Sequence, residues 1–269
     1  NERINVGTLL LEGKMRLLKA ISLASAAIIM IGAVQAKDLI APTNQLTILH
    51  INDHHSHLRA DGRMSLNIGG EKTRVRSGGF PAIVSTFDKL SVGKSNLLKL
   101  HAGDAITGDL YYTLFKGEAD AALMNEVCFD AFALGNHEFD DGDAGLVKFL
   151  DYLNKGECQT SVLGANVAPK VGVSPLTKMS ATDYIQPYTV INRRFGMKIG
   201  IIGIDIVNKT KNSSSPDEST LFLDETETAQ KYIDELTSKG INHIVLLTHY
   251  QYGNDLRLAQ KLRGVDIII

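Results

Sequence analysis

The sequence predicts an α/β layered domain, and three observations carry that expectation. Short apolar runs alternate with amphipathic helical stretches from residue 46 onward. Many of the apolar runs have no polar side, as expected of strands in a sheet covered by helices. The composition is that of a packed protein: in 269 residues, 44% are hydrophobic and the formal net charge is -2. So small a charge on so apolar a chain excludes an intrinsically disordered protein. With Lys+Arg 28 against Asp+Glu 30, no basic excess exists to displace counterions from a nucleic acid, which is excluded as a partner.

Taken in order, the strands are predicted at 46–51, 97–101, 131–134, 162–165, 188–193, 198–204, 243–249 and 265–269, each a short run rich in Ile, Leu, Val, Phe or Ala. Helices are predicted between them at 80–90, 118–127, 145–153, 226–238 and 254–262, where apolar residues recur at three- and four-residue spacing. The polar, Gly/Ser/Asn/Asp-rich segments 58–73 and 210–223 read as loops. No internal repeat is present.

The N-terminal segment has a different character. Met15-Arg16-Leu17-Leu18-Lys19 is followed by a mostly apolar run, 20–33, and then by Val34-Gln35-Ala36. A basic start, an apolar stretch too short to span a bilayer and small residues at the end predict a secretory signal at 15–36, cut after Ala36, rather than a stable membrane anchor. The expected location is the periplasm, with residues 1–14 carrying no pattern. Export to an oxidising compartment would allow Cys128 and Cys158 to pair, while the apolar surroundings of Cys128 equally suit two buried thiols.

The chemistry is concentrated just past the strands. Ligand sites of open α/β sheets form outside the carboxyl ends of the strands. The first strand runs into Asn52-Asp53-His54-His55-Ser56-His57, and four of the 8 histidines fall between 50 and 57. The second runs into His101-Ala102-Gly103-Asp104, the third into Gly135-Asn136-His137-Glu138-Phe139-Asp140, and the strand at 243–249 into Thr248-His249-Tyr250. Each motif by itself is ordinary turn chemistry. Carboxylate, imidazole and amide oxygen arriving together at one sheet edge are what a mixed O/N site for divalent metals requires. A shared carboxylate would let such a site hold two ions about 3.5–4 Å apart, an arrangement suited to phosphoryl hydrolysis.

These residues resemble a known family. Segment 46–58, Leu-Thr-Ile-Leu-His-Ile-Asn-Asp-His-His-Ser-His-Leu, and segment 129–140, ending Leu134-Gly135-Asn136-His137-Glu138-Phe139-Asp140, are similar to the two signature segments of the 5′-nucleotidase family of calcineurin-like metallophosphoesterases. His101-Ala102-Gly103-Asp104-Ala105, Gly78-Gly79-Phe80 and Gly164-Ala165-Asn166-Val167 match further blocks in order, so the resemblance runs from 44 to 269. The stretch from Val207-Asn208-Lys209-Thr210 to Ser215-Pro216 resembles the bacterial NAD nucleotidase branch.

The resemblance implies an α-β-β-α layered sandwich and a metal-dependent hydrolase of nucleotide phosphate esters. Its substrates would be AMP, other 5′-nucleotides or NAD, with water attacking phosphorus at a dinuclear centre. Asp53 and His55 would bind one ion, Asp104 would bridge both, and Asn136 and His249 would bind the second. His137 would act on the scissile phosphate as charge stabiliser or general acid, Asp140 would hold its ring, and Asn136 and His137 would touch the substrate. The two divalent ions could be Zn, Mn, Mg, Co or Ca. His50, His54, His57, His101 and His243 read as structural or supporting residues, and Glu138 as a first-turn helix residue. In the family, a loop carrying further ligands and a nucleotide-binding C-terminal domain follow the last strand. The chain stops at Ile269, so the expectation is a domain incomplete at that edge and with little turnover by itself. An inactive fragment, a 2′,3′-cyclic-nucleotide phosphodiesterase and a sugar-nucleotide hydrolase of the same superfamily are the alternatives.

Overall fold

The computed structural model describes residues 45–180 and 182–269. The signal predicted at 15–36, its cleavage point and residues 1–14 lie outside the described residues.

Two four-stranded sheets form the centre. The first has the order β1 (Thr47–Ile51), β4 (Leu97–His101), β5 (Ala131–Ala133), β6 (Ser161–Leu163), all parallel. The second has the order β12 (Ile267–Ile268), β11 (His243–His249), β9 (Lys198–Asp205), β8 (Tyr188–Asn192), parallel except for the antiparallel β8–β9 pair. A short β7 (Val167–Pro169) pairs antiparallel with β10 (Thr220–Phe222).

Period-two alternation decides how the sheets stack. Leu98 and Leu100 of β4 and Ala131 and Ala133 of β5 meet Ile199 and Ile201 of β9 and Val245 and Leu247 of β11 in one buried cluster between the sheets. The intervening residues point outward. On the first sheet, Phe132 packs with Phe87 of α1 (Gly79–Ser91), Met124 and Val127 of α3 (Glu118–Val127) and Leu146, Phe149 and Leu150 of α4 (Gly142–Leu153). On the second, Ile202, Ile204, Ile244 and Leu246 pack with Ala229, Ile233 and Leu236 of α6 (Glu225–Ser238) and Leu258 of α7 (Tyr252–Lys261). The result is the expected α-β-β-α sandwich. The helices carry local reasons for their starts: Asp224 accepts the Glu227 amide at 2.9 Å, and Glu225 and Glu227 place negative charge in the first turn of α6.

Composition misled at two places. The segment 58–73, expected as a loop, contains most of a hairpin, β2 (Gly62–Ile68) and β3 (Glu71–Ser77), turned by Gly69-Gly70, both at positive φ. Two consecutive glycines with positive φ make a tight two-residue hairpin turn, so turn chemistry and strand alternation outweighed the polar composition. The segment 210–223 likewise holds the end of α5 (Val207–Ser213) and all of β10. Helix α2 (Leu110–Phe115), started by Asp109, was not expected either. Cys128 and Cys158, left open by the sequence, form a disulfide with Cα atoms 5.4 Å apart. Among the described residues, no helix is long and apolar enough to cross a membrane.

Candidate metal centre

The loops after β1, β4, β5 and β11 converge at one edge of the sandwich. The first two are tied together beyond the strand ends: the amides of Asp53, His55 and Ser56 donate to the carbonyls of Gly103, Asp104 and Ala105 at 3.0, 3.2 and 3.0 Å. To make these bonds the backbone adopts left-handed φ values at Asp53 (52°), His55 (46°), Ser56 (53°) and Asp104 (54°). Non-glycine residues in that region cost about 1–2 kcal/mol each and persist where the surroundings hold them.

Small residues let the loops approach. A Cβ on Gly103, which has φ of 93°, would lie 2.8 Å from His249 Nδ1 and 2.9 Å from the Gly135 nitrogen. One on Gly135 would lie 2.4 Å from Asp104 Oδ1 and 2.9 Å from His249 Cγ. The glycine preceding Asn136 is therefore packed directly against Asp104 and His249.

Two groups of side chains result. Donor atoms of His55, Asp104 and His137 lie within 4.8 Å of one another, and so do those of Asp53, Asp104 and His249. Asp104 belongs to both. His249 Nε2 is 3.0 Å from Asp104 Oδ2, and His55 Nε2 is 3.4 Å from Asp53 Oδ1 and 3.6 Å from Asp104 Oδ2. The other ring nitrogen of His249 donates to the Ala102 carbonyl at 2.9 Å, which turns Nε2 towards the centre. Burial of His249 opposes its charged form, but the Asp104 carboxylate outweighs burial and holds the imidazole up to about 9. The bond from His55 holds the Asp53 carboxyl down to about 2.

The seven residues singled out in the sequence all lie here. Asn136 is buried and its Oδ1 has no hydrogen-bond partner. A buried unpaired acceptor costs about 1–3 kcal/mol, and a cation would relieve it. The chain neighbours of Asn136, Gly135 and His137, both pack on Asp104. Two carboxylates, three imidazoles and this amide oxygen make a donor set that fits divalent metal ions accepting mixed O/N coordination. His137 sits at the rim, its amide donating to Asp104 Oδ1 at 2.9 Å and its Nδ1 2.6 Å from Asp140 Oδ2.

One residue has a larger part than its sequence position suggested. Glu138, read as a first-turn residue, is 1% exposed and accepts four backbone amides. Its Oε2 takes those of Gly135 and Asp104 at 2.6 and 2.9 Å, and its Oε1 those of Ala105 and Ile106 at 2.7 and 3.4 Å. One carboxylate thus knots the loop after β4 to the loop after β5. Burial, with the nearby Asp104 charge, pushes its carboxyl up to about 7. The available signal was the Gly135-x-x-Glu138 spacing, which places a carboxylate three residues past a helix start.

Comparison with known proteins places the chain in a family. Residues 46–269 match the calcineurin-like phosphoesterase family. The chain is 46% identical over 225 residues to the NAD 5′-nucleotidase of Haemophilus influenzae, an alignment covering 84% of this chain and 35% of that protein. The solved structure of the H. influenzae NAD nucleotidase superposes with a TM-score of 0.74 over 83% of this chain and 42% of that one. A 5′-nucleotidase precursor from Thermus thermophilus gives 0.70 at 39% identity, covering 83% of this chain and 40% of that one. The chain therefore spans less than half the length of these relatives. Its matched residues are those that build both sheets and the four converging loops, and the chain belongs to the calcineurin-like phosphoesterase family.

Proposed function

We propose that this chain is the metal-bearing part of a nucleotide phosphoesterase that removes a 5′-phosphate or splits the pyrophosphate of NAD. The observation that carries the reading is Asp104, whose carboxylate is common to both donor groups and accepts the amide of His137, the residue after Asn136, whose buried amide oxygen has no partner. Asp53 and His55, 3.4 Å apart, would hold one divalent ion and Asn136 and His249 a second, with Asp104, in reach of both imidazoles, shared between them. In the structure the side chains group about Asp104 as His55 with His137 and Asp53 with His249. Bound ions of this kind activate water and neutralise charge on a phosphoryl group. His137 would then hold a proton for the departing oxygen, with Asp140 fixing its ring through Nδ1. The relatives' names, NAD 5′-nucleotidase and 5′-nucleotidase, support a nucleotide substrate. The Cys128–Cys158 disulfide supports an oxidising compartment such as the periplasm.

The test is phosphate and nucleoside release from AMP and NAD by the full-length protein, with and without added divalent metal. Metal-dependent turnover is expected, falling about 10²–10⁴-fold in His137→Asn and further in Asp104→Asn. Failure to hydrolyse either nucleotide with any divalent ion, or undiminished turnover in Asp104→Asn, would overturn the proposal.

A further inference from the structure

Behind the metal centre lies a second set of polar side chains to which the proposed reaction gives no part. His54, Ser56, His101 and Asp120 are 7, 0, 0 and 0% exposed. His54 stands between Asp53 and His55, and Ser56 follows His55. His101 is the last residue of β4, and Asp120 lies in the first turn of α3.

Their hydrogen bonds run in one direction. The Gly103 amide donates to His101 Nδ1 at 3.3 Å, so that nitrogen is an acceptor. In a neutral ring the proton then sits on His101 Nε2, which is 2.9 Å from His54 Nδ1 and donates to it. His54 in turn carries its proton on Nε2, 3.2 Å from Asp120 Oδ1. Ser56 Oγ donates to the other oxygen, Asp120 Oδ2, at 3.1 Å. This assignment satisfies every ring nitrogen with neutral histidines and makes Asp120 the final acceptor of both branches. The rings are also held by edge contacts, His54 against Phe80 at 4.9 Å and His101 against Phe129 and Phe132 at 5.3 and 5.2 Å between centroids.

The placement matters because of what it brackets. Asp120 grips the residues on both sides of His55, within the run where Asp53, His55 and Ser56 all take left-handed φ. Through His101 it reaches Gly103, immediately before Asp104. We propose that Asp120 is a positioning residue of the metal centre: a single buried carboxylate holds the strained backbone that aims Asp53 and His55, and by the His54–His101 chain it also sets the loop of Asp104. The proposal rests on the metal-centre reading above. Its chemistry is that of outer partners that orient metal ligands, whose loss costs about 10–100-fold in metal affinity.

The test is Mn²⁺ titration of the full-length protein by calorimetry, with AMP hydrolysis measured in parallel. Asp120→Ala is expected to weaken Mn²⁺ binding about 10–100-fold and to lower kcat while leaving KM for AMP nearly unchanged. Asp120→Asn, which can still accept from His54 and donate to Ser56, should restore most of the affinity. Ser56→Ala, which cuts a single branch and is far less disruptive to folding, should weaken Mn²⁺ binding less than Asp120→Ala. Leu236→Ala, which opens a cavity in the outer core of the second sheet, should lower stability without changing Mn²⁺ affinity. The proposal is overturned if folded Asp120→Ala and Ser56→Ala both bind Mn²⁺ as tightly as the wild type, or if Leu236→Ala weakens binding equally. Absence of Mn²⁺ binding by the wild type would instead sink the metal-centre reading itself.

Discussion

The carboxylate of Glu138 offers the sharpest test of how the centre is held. In Glu138→Gln the side chain keeps its shape, but one of its two oxygens becomes an NH₂ group. Each oxygen accepts two backbone amides, at 2.6 and 2.9 Å on one side and 2.7 and 3.4 Å on the other. Either orientation of the amide therefore sets donor against donor and removes two bonds. Buried hydrogen bonds to a charged acceptor contribute about 1.5–3 kcal/mol each, which gives a gross loss of about 3–6 kcal/mol. Removing a buried negative charge returns part of this, so the expected net loss is about 2–4 kcal/mol, a large share of a typical stability of about 5–15 kcal/mol. For a domain of this size that lowers Tm by about 5–15 °C. The assay is urea denaturation of wild type and variant followed by circular dichroism, with thermal melts as a second probe. A midpoint shift corresponding to under 1 kcal/mol would refute the reasoning, since it would mean that the four amides do not depend on the carboxylate.

Three further outcomes are expected. Gly103→Ala places a Cβ 2.8–3.0 Å from His249 and Gly135 at a φ of 93°, so it should cost about 2–4 kcal/mol by overpacking and backbone strain and weaken divalent-metal binding. Denaturation and calorimetry together check it, and a variant as stable as the wild type would contradict the close approach. Replacing both Cys128 and Cys158 by Ser opens a loop with a sequence separation of 30 and should cost about 3–4 kcal/mol on the chain-entropy estimate, measured as the difference between oxidised wild type and the double variant. Asp61, and after it Asp109, raise the His57 imidazole above its ordinary 6.5. The folded state thus holds the extra proton, and the stabilisation is complete below about pH 6.5 and lost as pH rises through the folded value. Because His57 is largely exposed the effect stays under about 1 kcal/mol, and His57→Gln should flatten the stability–pH curve above pH 6.5. Superimposable curves would show that the two carboxylates do not act on it.

Much of this protein was legible along the chain because the informative patterns are local. Strands such as 198–204 and 243–249 are apolar on both sides over most of their length, which is readable residue by residue and already implies a covered sheet. Placing polar residues just after the strands marked the segments 52–57, 101–104, 135–140 and 248–250 as one candidate site before any contact was known. The family resemblance of those segments singled out Asp53, His55, Asp104, Asn136, His137, Asp140 and His249 within them. Where the reading rested on composition it failed, as in the hairpin at Gly62–Ile68 and Glu71–Ser77, whose Gly69-Gly70 turn and alternating Met64, Leu66 and Ile68 outweighed a polar average.

What the sequence determined by itself, then, was the layered class and the set of side chains available at one sheet edge. Which of them share a cation's reach, and what restrains them, depended on the tertiary structure. Asp104 sits between His55 and His249 only because two sheets stack through β4, β5, β9 and β11. The burial of Glu138 and the grip of Asp120 on His54 and Ser56 arise between loops and helices far apart in sequence. No local pattern encodes such contacts, since a buried carboxylate reads like a surface one until the amides that satisfy it are folded around it.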